Sequence, residues 1–260
     1  MRVVSVSRLP ALVRGWIRRL GVDVDKHGYR QSALPVDIDH GAADIIRGVR
    51  SHTMTSPERL FALIQAVRYV SSASIPGSIV ECGVWRGGSM MAAALTLLEC
   101  SDTQRELYLF DTFEGMSPPT TLDVAIDGQA ASSLLKSPRT TEPDSAWCYA
   151  ALDDVRSAML GTGYPADRIR FVQGRVEQTI PLTTPSRIAV LRLDTDWYES
   201  TRHELEHLYP LLAPGGVLIV DDYGHWAGCR KAVDEYLGSH NIRMLLNRVD
   251  YTGRIAVKPG

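Results

Sequence analysis

Two pairs of aspartates follow apolar, strand-like stretches of this sequence. Asp194 and Asp196 come directly after the stretch IAVLRL, and Asp221 and Asp222 come directly after VLIV. Open α/β sheets bind their ligands outside the carboxyl ends of the strands, and carboxylates gathered there repel one another unless a positive charge lies between them. A hard divalent cation, which prefers oxygen ligands, meets that requirement. The four aspartates therefore predict a cation site at one edge of a sheet.

Each pair of aspartates also has a purely structural interpretation. Aspartate caps helices well, so the segment Asp194 to Asp196 could begin the next helix. Asp221 and Asp222 could equally begin a turn. The occurrence of both pairs at strand ends, beside a glycine-rich turn, favours the ligand site.

The glycine-rich turn ECGVWRGGS, from Glu81 to Ser89, joins a predicted strand to a predicted helix. Glycines let the backbone turn sharply and let a ligand approach closely, and the helix N-terminus offers free amide groups. Asp111 ends the next predicted strand, where an acidic residue accepts hydrogen bonds from ribose hydroxyls. The spacing GxxxGG differs from the GxGxxG of dinucleotide-binding folds, and no GxxxxGK[ST] loop for a triphosphate is present. A nucleoside without phosphate, carrying an amine and a carboxylate, fits this turn.

Short apolar runs alternate with amphipathic segments after residue 77, which predicts a mostly parallel sheet with helices on both faces. The predicted strands are 78–83, 106–111, 169–173, 186–194, 215–221, 242–248 and 254–258. The predicted helices are 88–99, 145–160, 200–212 and 226–238. His203 and His207 lie four positions apart on the third of these helices. The charged residues interleaved with them predict a solvated face; these are Arg202, Glu204 and Glu206.

Residues 1–75 predict an N-terminal helical cap or arm in front of a ligand-binding domain at 76–260. Thr55 or Ser56 is expected to cap a helix that begins at Pro57 and buries a regular apolar face. The interval 112–145 is rich in proline, glycine, serine and threonine. A connection of this length inside a compact domain is typical of a functional lid, and surface disorder is the alternative.

The composition excludes several classes of protein. A net charge of −2 over 260 residues gives no basic footprint for nucleic acid, and the apolar stretches are too short to span a bilayer. The four cysteines are scattered without zinc spacing, and no secretory leader is recognised. A cytoplasmic protein with reduced thiols and no membrane partner is expected.

Five ordered motifs resemble the metal-dependent sugar O-methyltransferases of the macrocin, mycinamicin and novobiocin type, within the class I S-adenosylmethionine-dependent methyltransferases. The motifs, which fall between about residues 50 and 240, are HTM at 52–54, ECGVWRGG at 81–88, DTFEG at 111–115, LRLDTDWY at 191–198 and PGG with DDY at 214–223. The resemblance implies a Rossmann-like fold with a seven-stranded, mostly parallel sheet and an antiparallel last strand. It also implies S-adenosylmethionine as the methyl donor and Mg²⁺ as the metal.

The resemblance assigns roles to residues of this chain. Asp194, Asp221 and Asp222 would bind Mg²⁺, and Asp196 would be the general base, with His225 as a weaker candidate; the roles of Asp194 and Asp196 could be exchanged. The implied donor-binding residues are Met54, Glu81, Gly83, Val84, Trp85, Arg86, Gly87, Ser89, Asp111, Thr112 and Gly174.

The main functional hypothesis is methylation of a deoxysugar hydroxyl in an antibiotic glycoside. A catechol-like acceptor is the alternative; it would favour a lysine three positions after Asp194, where this chain has Trp197. A non-catalytic assembly partner with the same fold is a hypothesis of a different class, and the intact carboxylates count against it. A dinucleotide oxidoreductase is weakened by the glycine spacing. A homodimer formed through the N-terminal helices is expected.

Overall fold

The computed structural model describes residues 34–135 and 147–260. Within them, one seven-stranded sheet has the strand order β3-β2-β1-β4-β5-β7-β6. Strands β1 to β5 are parallel, whereas β7 runs antiparallel to its neighbours β5 and β6. The strands are β1 (Ser78–Cys82), β2 (Leu107–Asp111), β3 (Ile169–Gln173), β4 (Ile188–Leu193), β5 (Leu212–Val220), β6 (Asn247–Arg248) and β7 (Arg254–Val257). The predicted sheet with its antiparallel last strand is confirmed.

Helices cover both faces of the sheet. They are α1 (His40–Val49), α2 (Pro57–Ser72), α3 (Gly88–Glu99), α4 (Ala131–Leu134), α5 (Leu152–Leu160), α6 (Val176–Thr179), α7 (Tyr198–Leu208) and α8 (Ala227–Ser239). Helices α2, α3 and α5 bury apolar side chains against one face, and α7 and α8 do so against the other. Two separate apolar layers therefore hold the central strands β1 and β4 in place.

Helix α2 begins as its sequence predicts. The Ser56 side chain accepts a hydrogen bond from the Arg59 amide at 3.2 Å, and Pro57 is the first helical residue. This arrangement satisfies one of the amides that a helix start leaves without a partner. The predicted apolar face of the helix is buried, and it consists of Leu60, Leu63, Ile64, Val67 and Val70.

Two predicted elements are shorter in the structure. The helix predicted at 145–160 begins only at Leu152, because the chain before it bonds elsewhere: the Trp147 carbonyl accepts the Met116 amide at 2.8 Å, and Cys148 has a left-handed φ of 47°. The strand predicted at 242–248 reduces to Asn247–Arg248, an exposed pair at the sheet edge that is hydrogen-bonded to β7. Residues 1–33 of the predicted N-terminal cap or arm, and residues 136–146 of the predicted lid, lie outside the described residues.

The described part of the predicted lid, residues 112–135, packs on the starts of α7 and α8. Asp123 is fully buried, and its Oδ1 accepts the Tyr198 amide at 2.8 Å while its Oδ2 accepts the Thr120 amide at 2.6 Å. Nearby, the Ala227 amide donates to the Val124 carbonyl at 2.8 Å. Asp123 thus supplies the cap that α7 lacks within its own sequence.

Among the helices that the structure describes, none combines the length and the apolar character needed to cross a membrane.

Candidate active site

A cleft lies at the carboxyl ends of β1, β4 and β5, where the turns that follow these strands meet. Parallel pairing brings the three strand ends to one edge, and the Asp194 amide extends the ladder by donating to the Cys82 carbonyl at 2.9 Å. The Asp221 amide does the same to the Leu193 carbonyl at 2.9 Å. Residues separated by more than a hundred positions in the chain therefore face one cavity.

Three carboxylates converge in this cleft. Asp194, Asp221 and Asp222 each offer an oxygen, and these atoms all lie within 4.8 Å of one another. Among the described residues, the buried Oδ2 of Asp222 has no hydrogen-bond partner. Burial raises the pKa of Asp194 and of Asp222 well above the ordinary value, and the neighbouring carboxylates raise it further. Clustered oxygen donors, one of them without a partner, fit a divalent cation.

A buried arginine that the sequence analysis did not assign lies behind these carboxylates. The Arg192 guanidinium contacts Glu81 through Nη1, Asp194 at 2.6 Å and Asp221 at 2.7 Å. Arg192 lies directly opposite Glu81 in the β1–β4 register. A single basic residue inside the apolar run IAVLRL was the available signal, since a buried guanidinium requires carboxylate partners.

A second arginine reaches Asp221 from α2. The Arg59 guanidinium contacts Asp221 and also lies 3.0 Å from an Asp250 carboxylate oxygen. Burial alone would raise the pKa of Asp221, but the two guanidinium groups hold it below its ordinary value. Asp221 is therefore an ionised carboxylate at neutral pH, whereas the pKa shifts of Asp194 and Asp222 favour protonation when no cation is present.

Asp196 reaches the same cleft from the turn after β4. Strand β4 ends at Leu193, and Asp196 has a left-handed φ of 66°. Its carboxyl interacts with Asp222 and with Trp226. Burial, followed by the charge of Asp194, raises the pKa of Asp196 to about 7. A carboxylate with such a pKa is suited to accept a proton near neutral pH.

The second candidate base, His225, also lines the cleft. Its Nδ1 is hydrogen-bonded to the Tyr251 hydroxyl at 2.8 Å, and its ring packs edge-on against Trp226 with centroids 4.7 Å apart. Tyr251 belongs to the β6–β7 loop, a part of the chain that sequence reasoning did not connect with the site. The aromatic groups form one wall of the cleft near the carboxylates.

The glycine turn closes the other end of the cleft. Asp111 stabilises this turn: its Oδ2 accepts the amides of Val84 and Trp85 at 2.6 and 2.9 Å, and its Oδ1 accepts the Phe113 amide at 2.7 Å. These bonds leave Asp111 at the cleft surface, with lone pairs remaining on its oxygens. Asp111, which was predicted to accept hydrogen bonds from ribose hydroxyls, thus also fixes the shape of the glycine turn.

Most of the predicted donor-binding residues line the cleft. They are Met54, Gly83, Val84, Trp85, Ser89, Asp111, Thr112 and Gly174. Three others do not. Glu81 is buried against Arg192, Arg86 stacks on the outer face of Trp85 with its guanidinium 4.7 Å from the ring centroid, and Gly87 packs against Val155 and Met159 of α5.

Gly83 is the position in the turn with the strictest steric requirement. It has a φ of +83°, and a Cβ there would lie 2.0 Å from the Asp194 carbonyl oxygen. Gly83→Ala is therefore expected to destabilise the fold by about 2–4 kcal/mol, through backbone strain and displacement of the β1 and β4 ends. Thermal unfolding measures the effect, with Gly128→Ala, which also has a positive φ but meets nothing within 4 Å, as the matched control. Equal losses in the two variants would contradict the steric argument.

A glycine turn after β1, strand ends that carry carboxylates and a reversed β7 together define a class I methyltransferase. The solved structure described as the O-methyltransferase NovP shares this fold, with a TM-score of 0.68 and 32% identity over 80% of this chain and 83% of that one. The chain belongs to the macrocin-O-methyltransferase (TylF) family, whose model matches residues 27–257. The resemblance stated from the motifs is confirmed, and the protein is an O-methyltransferase.

Two relatives are O-methyltransferases by name, and the name of the first specifies a rhamnosyl substrate. The chain is 38% identical to an 8-demethyl-8-(2,3-dimethoxy-alpha-L-rhamnosyl)-tetracenomycin-C 4'-O-methyltransferase of Streptomyces olivaceus, over 78% of this chain and 74% of the relative. It is 33% identical to the mycinamicin III 3''-O-methyltransferase of Micromonospora griseorubida, over 78% of this chain and 77% of the relative.

Proposed function

We propose that this enzyme is a Mg²⁺-dependent O-methyltransferase that transfers the methyl group of S-adenosylmethionine to a deoxysugar hydroxyl of an antibiotic glycoside. The observation that carries the proposal is the cluster of Asp194, Asp221 and Asp222 beside the glycine turn, with an Asp222 oxygen that has no partner among the described residues. The names of the relatives support a sugar as the acceptor.

The donor would lie along the glycine turn. The first amides of α3 have no partner within the helix and complement the donor carboxylate, and Ser89 in its first turn lines the cleft. Gly174, after β3, and Thr112, after β2, line the same cavity further along the sheet edge, where the nucleoside would lie. This placement directs the sulfonium towards the carboxylates.

Asp194, Asp221 and Asp222 would hold the cation. When bound, Mg²⁺ lowers the pKa of a sugar hydroxyl and fixes its position, because an unactivated alcohol is a poor nucleophile. Arg192 and Arg59 already contact both oxygens of Asp221. Each carboxylate oxygen has a second lone pair, so Asp221 supports the cation while the two guanidinium groups fix its orientation.

Asp196 would accept the proton of the acceptor hydroxyl. In the transfer step, the sulfur–methyl bond breaks as the oxygen–methyl bond forms, and the hydroxyl proton moves to the Asp196 carboxylate. Asp196 fits this role because it contacts Asp222, one of the three clustered carboxylates, without belonging to the cluster itself. His225 stays the weaker candidate, since it is the side chain of Asp196 that interacts with the clustered carboxylate Asp222.

The alternative of a catechol-like acceptor finds less support. Trp197 occupies the position at which the catechol hypothesis favours a lysine; it is buried, and its indole Nε1 donates to the Ser117 carbonyl at 2.9 Å. The described residues that line the cleft include no lysine. Asp196 is then the group near the carboxylate cluster best suited to act as a base.

A methyl-transfer assay across a panel of glycosides tests the proposal. The panel pairs each deoxysugar glycoside with its aglycone and includes catechol as a separate acceptor. Transfer to the glycoside, with no transfer to the aglycone or to catechol, is the expected result, measured by mass spectrometry as a gain of one methyl group. Preferential transfer to catechol would replace the proposed acceptor. Cytoplasmic location and a homodimer stay predictions from the sequence.

A further inference from the structure

Glu204 on α7 is a buried acid that the proposed reaction does not use. The sequence predicted a solvated face for this part of the helix, but Glu204 is 0% exposed. Its Oε1 accepts a hydrogen bond from the Thr195 hydroxyl at 2.9 Å, and its Oε2 has no partner among the described residues. An incompletely bonded carboxyl in the interior is costly, so its occurrence there requires a compensating role.

The Thr195 hydroxyl links Glu204 to the turn that carries Asp194 and Asp196. Thr195 lies between Asp194 and Asp196 and lines the cleft, whereas Glu204 does not. The backbone of the turn is held by the Asp194 amide on β1 and by the Trp197 amide, which donates to the Thr195 carbonyl at 2.8 Å. Among the described residues, the Thr195 side chain is held by its hydrogen bond to Glu204.

We propose that Glu204 is a positioning residue that acts through Thr195 to fix the directions of Asp194 and Asp196. The proposal rests on the proposed function, because it assigns one of these carboxylates to the cation and the other to the proton. A rotation of the turn about Thr195 would move both carboxylates, since they flank it in the chain. The single hydrogen bond between Thr195 and Glu204 therefore fixes the positions of two carboxylates of the site.

The left-handed φ of 66° at Asp196 explains why such a fixing bond is required. A non-glycine residue in this conformation persists only where the surrounding structure enforces it. Glu204 comes from the second turn of α7, which is anchored on the sheet by the buried side chains of Leu205 and Leu208. The rigid helix thereby transmits its position to the turn.

Thr195→Val, Thr195→Ser, Glu204→Leu and Glu204→Gln test the proposal. Valine keeps the shape of threonine but removes the hydroxyl, and serine retains it; glutamine retains an acceptor for the Thr195 hydroxyl, and leucine does not. Glu206→Gln, on the exposed side of the same helix where Glu206 pairs with Arg202 at 2.9 Å, is the matched control. Melting temperature, donor affinity, kcat, acceptor KM and Mn²⁺ affinity by electron paramagnetic resonance are measured for each.

Thr195→Val and Glu204→Leu are expected to lower kcat about 10- to 100-fold and to weaken Mn²⁺ binding about tenfold, with little change in donor affinity. Thr195→Ser and Glu204→Gln restore most of both properties. The double variant Thr195→Val/Glu204→Leu is no worse than either single variant, because the two changes break the same hydrogen bond. A Thr195→Val enzyme with wild-type kcat and wild-type Mn²⁺ affinity would overturn the proposal.

A purely structural role for Glu204 gives a different result. In that case Glu204→Leu lowers the melting temperature, while Thr195→Val leaves kcat and Mn²⁺ affinity unchanged. Should Glu204→Leu fail to fold, Thr195→Val and its serine rescue decide the question alone.

The wild-type enzyme separates failure of this proposal from failure of the proposed function. A wild type that methylates no glycoside contradicts the function, while Mn²⁺ affinity still reports on the turn. A wild type that also binds no Mn²⁺ leaves the decision to a crystal structure of Thr195→Val. Displacement of the Asp194 or Asp196 carboxylate by about 1 Å supports the positioning role, and an unmoved turn refutes it.

Discussion

Removal of divalent cations with EDTA is expected to lower kcat about 10³-fold or more, and added Mg²⁺ is expected to restore it. The reason is that the acceptor hydroxyl would lose the group that lowers its pKa, a contribution of several kcal/mol to the barrier. Without a cation, Asp194 and Asp222 would also tend to be protonated, because Arg192 and Arg59 compensate only part of the charge of the cluster. Initial rates of methyl transfer in metal-free buffer measure the effect.

Two controls make the chelation result specific. EDTA saturated with Mg²⁺ beforehand should leave the rate unchanged. Asp222→Asn should raise the Mg²⁺ concentration needed for half-maximal rate, because Asp222 supplies the oxygen without a protein partner, whereas Asp153→Asn, at an exposed position of α5, should not. An enzyme that is equally fast in EDTA and in Mg²⁺ would refute the metal mechanism.

Asp196→Asn is expected to lower kcat about 10²- to 10⁴-fold, because the amide cannot accept the hydroxyl proton. Donor affinity should change little, because Asp196 follows β4, whereas the glycine turn that would hold the donor follows β1. Single-turnover kinetics give the rate of the chemical step, and calorimetry gives donor affinity. The amide has the size of the carboxylate, so the fold should be retained.

His225→Gln separates the two candidate bases. It should reduce kcat far less than Asp196→Asn does, because Asp196 is the proposed proton acceptor and His225 lines the cleft without that role. Asp167→Asn, an exposed aspartate before β3, controls for the loss of one negative charge. If His225→Gln is the more damaging change, the proton acceptor is His225; if Asp196→Asn abolishes donor binding, Asp196 belongs to the donor site.

The carboxylate cluster was predictable because strand ends are predictable. Apolar runs that stop at an aspartate locate the end of a strand, and parallel strands bring such ends to one edge of the sheet. Asp194, Asp221 and Asp222 meet for this reason. Asp196 joins them from a left-handed turn that follows the strand, a backbone conformation that the sequence does not reveal.

The arginines behind the cluster depended on pairings that a sequence does not display. Glu81 and Arg192 face each other only because β1 and β4, which are not consecutive, are neighbours in the sheet. Arg59 reaches Asp221 across 162 positions, from a helix whose apolar face gave no reason to expect a second role. The prediction that Glu204 is solvated was wrong, because Glu204 is buried. The charged residues around it do lie on the exposed side of α7, but the sequence does not show which residue marks the edge of that side.

The buried Asp123 carries a practical consequence for changing which acceptor the enzyme takes. This carboxylate joins residues 120–131 to the first turn of α7, and a Cβ at Gly228 of α8 would lie 2.1 Å from its Oδ1. A chimera whose imported loop lacks this aspartate would lose the cap of α7. Productive loop exchanges between relatives should therefore keep an aspartate at position 123 together with the glycine at position 228.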